Sequence, residues 1–406
     1  MTVSPWLRVI GIGEDGLDGL SPRCKQYVEE ADVLVGGARH LAFISSSTAE
    51  KLVWGTPFSD SLDAIAGHRD KRVVVLASGD PMDYGVGVTL AQRFSAEEMA
   101  IFPAAGAFSL ACARLGWSRA EVETMTLHGR PLSLLNVHLH PGARLLIFAE
   151  DGTTPDAVAA ALRDKGYGPS RLTILARLGG PHEERRDGTA EGWDNAPCHD
   201  LNTIAVECRI EKGTPVLPRV PGLPDEAFLN DGQLTKQTVR SATLAALAPL
   251  PGALLWDVGA GSGAIAIEWL RAEPTSRAVA VERDPARAGR VAANAEALGV
   301  PHIEVITGEA PQALAGLAPP DAIFVGGGVS GNGLLETCWG VLKPGGRLVA
   351  NTVTEKGQER LAAFFRTEGG RLTRIAVSHA ESGPGNASLG WYDKHPVTQL
   401  VVEKVS

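Results

Sequence analysis

Residues 255–269 read LWDVGAGSGAIAIEW, and the three glycines at their centre decide how the surrounding half of the chain folds. The stretch begins apolar (Leu254, Leu255, Trp256), reaches Asp257, sets Gly259, Gly261 and Gly263 at alternate positions, and continues with Ile265, Ile267, Trp269 and Leu270 at helical spacing. That is a strand, a tight turn and a helix, the arrangement in which backbone N–H groups at a helix start face a ligand. GAGSGA, with Ala264 as the third small residue, also satisfies the dinucleotide fingerprint. The glycines alone leave a nicotinamide dinucleotide and S-adenosylmethionine both open.

The flanking acids favour the second. Asp257 stands at the strand end two residues before the first glycine, where it repels a pyrophosphate but attracts the ammonium of a methionine group. Glu282 follows Gly263 by nineteen residues, at the end of RAVAVERD (277–284), and its two oxygens suit a ribose diol in either cofactor. A third strand ends in Gly308-Glu309-Ala310, a border for an adenine. The expected cofactor contacts are therefore Asp257, Gly259, Ala260, Gly261, Ser262, Gly263, Glu282, Glu309 and Ala310. An NAD-dependent reductase is the alternative, and it leaves Asp257 without a role.

A chain of 406 residues suggests two or three domains. Its net charge of −9 disfavours a nucleic acid or an anionic membrane as partner, and means that an anionic substrate needs a local cationic cleft. Five cysteines without a CxxC pair fit a reducing compartment and assign neither disulfide nor metal. The ten histidines show no metal-ligand spacing either. With no signal-peptide core and no bilayer-length apolar run, a cytoplasmic protein is expected.

Pro215, Pro218, Pro221 and Pro224 recur at every third position and predict an extended linker over 211–227. It separates a domain at 1–210 from one at 228–406. Apolar strands and helices alternate on both sides: LRVIGIG (7–13), ADVLVGG (31–37), KRVVVLASGDP (71–81) and RLLIFAED (144–151) upstream, then HIEVITGE (302–309), PDAIFVGGG (320–328) and GRLVANTV (346–353) downstream. The pattern predicts α/β architecture with mostly parallel sheets in both halves.

In the second half GQLTKQTVR (232–240), the opening stretch, AVAVERDP, GEAPQAL and FVGGG, in that order, resemble the cobalamin-pathway precorrin methyltransferases that methylate C15 and decarboxylate an acetate side chain. The resemblance implies a Rossmann-like class I S-adenosylmethionine-dependent methyltransferase fold, and adds Thr235 to the cofactor contacts. In the first half VIGIGEDGLDGLS (9–21), LASGDPMDYGVG (76–87), ACARLGW (111–117), HGR (128–130) and LARLGGPHEERRDGTAEGW (175–193) resemble the two-lobed tetrapyrrole methylases. That family binds S-adenosylmethionine between its lobes, which points to Gly11, Gly13, Gly79, Asp80, Pro81, Asp83 and Gly85. Gly79 and Pro81 hold a tight turn, Gly85 and Gly87 admit a ligand to the backbone, and Asp80 either contacts that ligand or closes an Asx turn. Where the family carries a serine pair, this chain has AAGA (104–107), leaving backbone groups to bind the methionine moiety.

Both halves in this order resemble the fused precorrin C5,15-methyltransferases (decarboxylating) of the aerobic cobalamin pathway. The resemblance implies methylation of precorrin-6Y at C5 and C15 with loss of the C12 acetate carboxyl, one S-adenosylmethionine site per domain, and a homo-oligomer formed through the C-terminal domain. A first half that only binds tetrapyrrole is the non-catalytic alternative. Such a substrate carries many carboxylates. Arg240 is the expected cationic contact, with Lys236 beside it at i, i+4 on a helix that Thr235 caps; His128 and Arg130 take the corresponding role in the first half.

Overall fold

A computed structural model describes residues 5–44, 46–194, 196–382 and 389–405. Internal contacts divide the chain into two units, Met1–Leu132 with His140–Thr214, and Ser133–Leu139 with Pro215–Ser406.

The N-terminal unit holds two five-stranded sheets. The first has the order Glu50–Val53, Val33–Gly36, Val73–Ser78, Leu7–Ile12, Met99–Phe102. All its neighbours are parallel. Its valine-rich runs are buried because helices cover both faces, and the sheet separates two apolar cores. The second sheet has the order Glu123–Thr126, Arg144–Phe148, Asn202–Glu207, Arg171–Ala176, Glu184–Thr189. Here the expectation of a mostly parallel sheet fails. Only its first pair is parallel, and the other three are antiparallel. Residues 177–183 join two neighbouring strands directly, a connection too short for the crossover that parallel strands need.

The C-terminal unit is built on a seven-stranded sheet ordered Glu304–Thr307, Arg277–Glu282, Leu254–Val258, Ala322–Val325, Arg347–Thr352, Val397–Glu403, Arg371–Ile375. The first five strands run parallel. Val397–Glu403 runs antiparallel to both its neighbours. Leu254–Val258 is central and wholly buried, which explains its unbroken apolar character before Asp257. Strand order reverses beside it, so the glycine loop leaves the sheet at the switch point where α/β proteins bind ligands.

The proline-rich segment is not a free tether. The Arg271 guanidinium, 1% exposed, donates to the carbonyls of Leu217 (2.9 Å) and Pro218 (3.3 Å). The equally buried Glu268 accepts from the amides of Gly222 and Leu223. Leu223 and Phe228 enter the core beneath. Cutting at 228 strips these partners from two buried charges. A fragment starting at 228 is therefore expected to be less stable than one starting at 215 by about 3 kcal/mol or more. Thermal melts should place it roughly 6–12 °C lower; equal melting temperatures count against this tethering.

Candidate active sites

In the C-terminal unit Gly259, Gly261 and Gly263 all have positive φ, at +73°, +61° and +78°. Three left-handed residues at alternate positions turn the backbone sharply between the strand and the helix Ala264–Ala272, and only glycine adopts them without strain. Each serves a different neighbour. A Cβ on Gly259 would lie 2.8 Å from the backbone of Gly327, and one on Gly263 2.6 Å from Val291. A Cβ on Gly261 meets nothing nearer than the Gln233 carbonyl at 3.5 Å, so this glycine faces the open side of the loop.

Glu282, 5% exposed, holds the loop in place: Oε2 accepts from the Gly261 amide at 2.8 Å and Oε1 from the Asp284 amide at 3.0 Å. Its oxygens are thus already anchored to backbone, with lone pairs remaining for ribose hydroxyls. Asp257 is 1% exposed. Its Oδ2 accepts from the Ala266 amide at 3.1 Å, whereas Oδ1 has no hydrogen-bond partner among the described residues. Burial pushes its carboxyl up to about 7, aided by the charge of Glu282 and opposed by the Ala266 amide. An orphaned buried oxygen beside a left-handed glycine cradle fits a cationic ammonium. The amide of Gly308 donates to the Glu282 carbonyl, setting Glu309 and Ala310 one strand further along. Ser262 is buried, and its carbonyl accepts from Asn294, which also exchanges hydrogen bonds with the backbone of Leu229. The sequence reading missed Asn294. Its signal was a polar residue three positions after Val291, on the apolar face of the helix Pro285–Leu298.

Arg240 is not a substrate contact. It is 0% exposed, with Nε on Glu268 at 2.6 Å, Nη1 on Asp225 at 3.2 Å and on the Thr235 carbonyl, and Nη2 on the Leu223 carbonyl. Every nitrogen of its fork is used inside the core. Thr235 does not cap the helix either: Gln237–Leu247 starts later, at an N-cap Lys236 without a side-chain cap. Lys236 lies outside the helix, exposed, with Nζ 3.5 Å from Asp225.

In the N-terminal unit Gly11, Gly79 and the AAGA loop pack backbone against backbone. The Ala104 amide donates to the Gly79 carbonyl, and a Cβ on Gly11 would collide with that same carbonyl. Asp80 closes an Asx turn, its Oδ1 accepting from the Met82 amide at 2.9 Å. Cβ atoms on Gly85 and Gly87 would sit 2.6 and 2.7 Å from the carbonyl of Pro81, so both also let the chain fold over its own turn. Gly13 adjoins the Asp15 carboxylate in the same way.

Asp83, Gly85 and Arg130 come together around a pocket of about 410 Å³, with Tyr84 and Thr124. The Tyr84 hydroxyl donates to the Thr124 carbonyl, and its ring lies 5.4 Å from the Arg130 guanidinium. Burial and the charge of Asp80 raise the Asp83 carboxyl above its ordinary value, against the pull of Arg119. His128 is separate from this group: it is 74% exposed, with Nδ1 3.3 Å from Glu150.

Comparison with known proteins follows the same division. Residues 7–193 match the family described as tetrapyrrole (corrin/porphyrin) methylases, and residues 226–404 that described as precorrin methyltransferase domain. A precorrin-6Y C(5,15)-methyltransferase [decarboxylating] from Sinorhizobium sp is 47% identical over 398 residues, 98% of this chain and 96% of the relative. This chain belongs to that family. Two relatives from Salmonella typhimurium each match about half of the chain. A cobalt-precorrin-7 C(5)-methyltransferase is 34% identical over 200 residues, covering 49% of this chain and 98% of that one. A cobalt-precorrin-6B C(15)-methyltransferase (decarboxylating) is 30% identical over 186 residues, covering 45% of this chain and 96% of that one.

Proposed function

We propose that the chain methylates precorrin-6Y at C5 and C15 and removes the C12 acetate carboxyl as carbon dioxide, with one S-adenosylmethionine site in each unit. The observation that carries this is that a C5,15 relative aligns with 98% of this chain, whereas separate C5 and C15 enzymes each align with about half of it, and the chain has a tetrapyrrole methylase match at 7–193 and a precorrin methyltransferase match at 226–404. The N-terminal unit then performs the C5 methylation, and the C-terminal unit the C15 methylation and decarboxylation.

S-adenosylmethionine supplies the electrophilic methyl when bound. The protein's part is alignment and exclusion of water. Asp257 receives the ammonium of the methionine group, Glu282 the ribose hydroxyls, and the glycine loop brings backbone against the ligand. In decarboxylation the bond between the acetate methylene and its carboxyl breaks. The electron pair passes into the conjugated macrocycle, carbon dioxide leaves, and a proton completes the methyl group. No apolar helix long enough to cross a membrane occurs among the described residues, and the reading places the enzyme in the cytoplasm.

Two measurements test the cofactor assignment. Glu282→Ala removes a ribose acceptor and the clamp on Gly261 together, and is expected to weaken S-adenosylhomocysteine binding to the C-terminal site about tenfold or more. Unchanged calorimetric affinity excludes Glu282 from the ribose. The second uses the raised Asp257 carboxyl. A folded-state value of about 7 means that the empty unit loses stability as pH rises from the ordinary carboxyl range through that value. An ammonium beside Oδ1 favours the carboxylate, so binding near pH 7 should release a proton. The binding enthalpy is then expected to vary with the ionisation enthalpy of the buffer, and Asp257→Asn should remove that component. Buffer-independent enthalpies in the unmodified protein contradict the ammonium contact.

A further inference from the structure

With Arg240 committed to the core, the polycarboxylate substrate needs cations elsewhere, against a net charge of −9. The N-terminal unit brings two together. Glu14 follows the strand Leu7–Ile12, Arg39 and His40 begin the helix after Val33–Gly36, and Ser78 ends Val73–Ser78. Three parallel strands thus deliver these residues to one carboxyl edge, where open α/β sheets bind ligands. Arg177 reaches the same point from the second sheet, just after Arg171–Ala176.

Glu14, with a side chain only 8% exposed, accepts from Nη1 of Arg39 and from Nε of Arg177 at 3.2 Å. Gly180 is pressed against it: a Cβ there would lie 2.5 Å from the Glu14 Cβ. Arg39 Nη2 donates to the Ser78 hydroxyl at 3.0 Å and to His40 Nε2 at 3.1 Å. Burial pulls the His40 imidazole down to about 4, so it adds no charge at neutral pH. Asp15 turns back onto its own loop, against Gly19. Two guanidiniums therefore share one carboxylate, leaving an excess of positive charge.

We propose that Arg39 and Arg177, oriented by Glu14, form a subsite for a carboxylate side chain of the tetrapyrrole in the N-terminal unit. The inference rests on the reading that this unit methylates C5. A clasp between the two sheets needs only one arginine on Glu14, and the second is surplus to it. Arg177 uses only Nε on Glu14, and its two terminal nitrogens have no partner among the described residues. Its side chain is 33% exposed, that of Arg39 40%. Arg177 is also held at φ +52°, a conformation that non-glycine residues adopt rarely and that fixes where the side chain leaves the backbone. A planar guanidinium with two free nitrogens matches a carboxylate bidentately.

The test measures C5 methylation by the full chain, with the C15-methylated, decarboxylated intermediate as substrate. Arg177→Gln and Arg39→Gln are each expected to raise KM for this intermediate about tenfold, with kcat and S-adenosylhomocysteine affinity unchanged. Added salt should raise KM in the unmodified chain more steeply than in either variant. An unchanged KM in both variants overturns the proposal. So does a parallel fall in melting temperature, cofactor affinity and kcat, the signature of a clasp alone. Failure of the unmodified chain to methylate this intermediate at C5 instead overturns the reading beneath, and the subsite with it.

Discussion

Gly261→Val is expected to abolish C15 methylation and loss of carbon dioxide together, while methylation at C5 survives. Gly261 has φ +61°, where a β-branched residue is an outlier, and its hypothetical Cβ meets only the Gln233 carbonyl, at an ordinary contact distance of 3.5 Å. The substitution therefore strains the loop and fills the side that the ligand would occupy, without the backbone collision that Gly259→Val would cause against Gly327. Cofactor affinity at the C-terminal site should fall by about a hundredfold or more, since lost contacts and backbone strain of about 1–3 kcal/mol act together. Supplied with the C15-methylated, decarboxylated intermediate, the variant should add a single methyl by mass spectrometry. Persistent decarboxylation of the original substrate, or no methylation of the intermediate, contradicts the division of chemistry between the units.

Arg240→Met is expected to destabilise the C-terminal unit by about 3–5 kcal/mol, because Glu268 is left as a buried charge without its cation. Substrate affinity at either site is not the direct target. Urea unfolding should show the loss in the C-terminal transition alone. Glu268→Gln in the same background should recover part of it: the amide oxygen still accepts from the backbone of Gly222 or Leu223, and the uncompensated charge is gone. A single variant as stable as the unmodified protein, with raised KM, would return Arg240 to the substrate.

The strand, glycine loop and helix around 255–269 were legible because periodicity and positive-φ glycines leave one backbone path. Asp257 and Glu282 were legible because a strand buried on both sides rarely ends in a carboxylate without a partner. Arg240 was misread because i, i+4 spacing does not say whether a face points inward. The corrective lay in AIAIEWLRA: a glutamate and an arginine within an apolar helix must be paired, and Glu268 pairs with Arg240. The second N-terminal sheet was misread for a different reason. Glu184–Thr189 reads ERRDGT, with almost no apolar pattern, because it lies at the sheet edge and is held by pairing with Arg171–Ala176. The Glu14, Arg39 and Arg177 cluster depends on positions far apart in sequence, which no local motif reports.

The central claim, that both units bind S-adenosylmethionine, is tested most directly by calorimetric titration of the full chain with S-adenosylhomocysteine. Two equivalents bound per chain are expected, falling to one in Gly261→Val. One equivalent in the unmodified chain, or the same stoichiometry in both proteins, would contradict it.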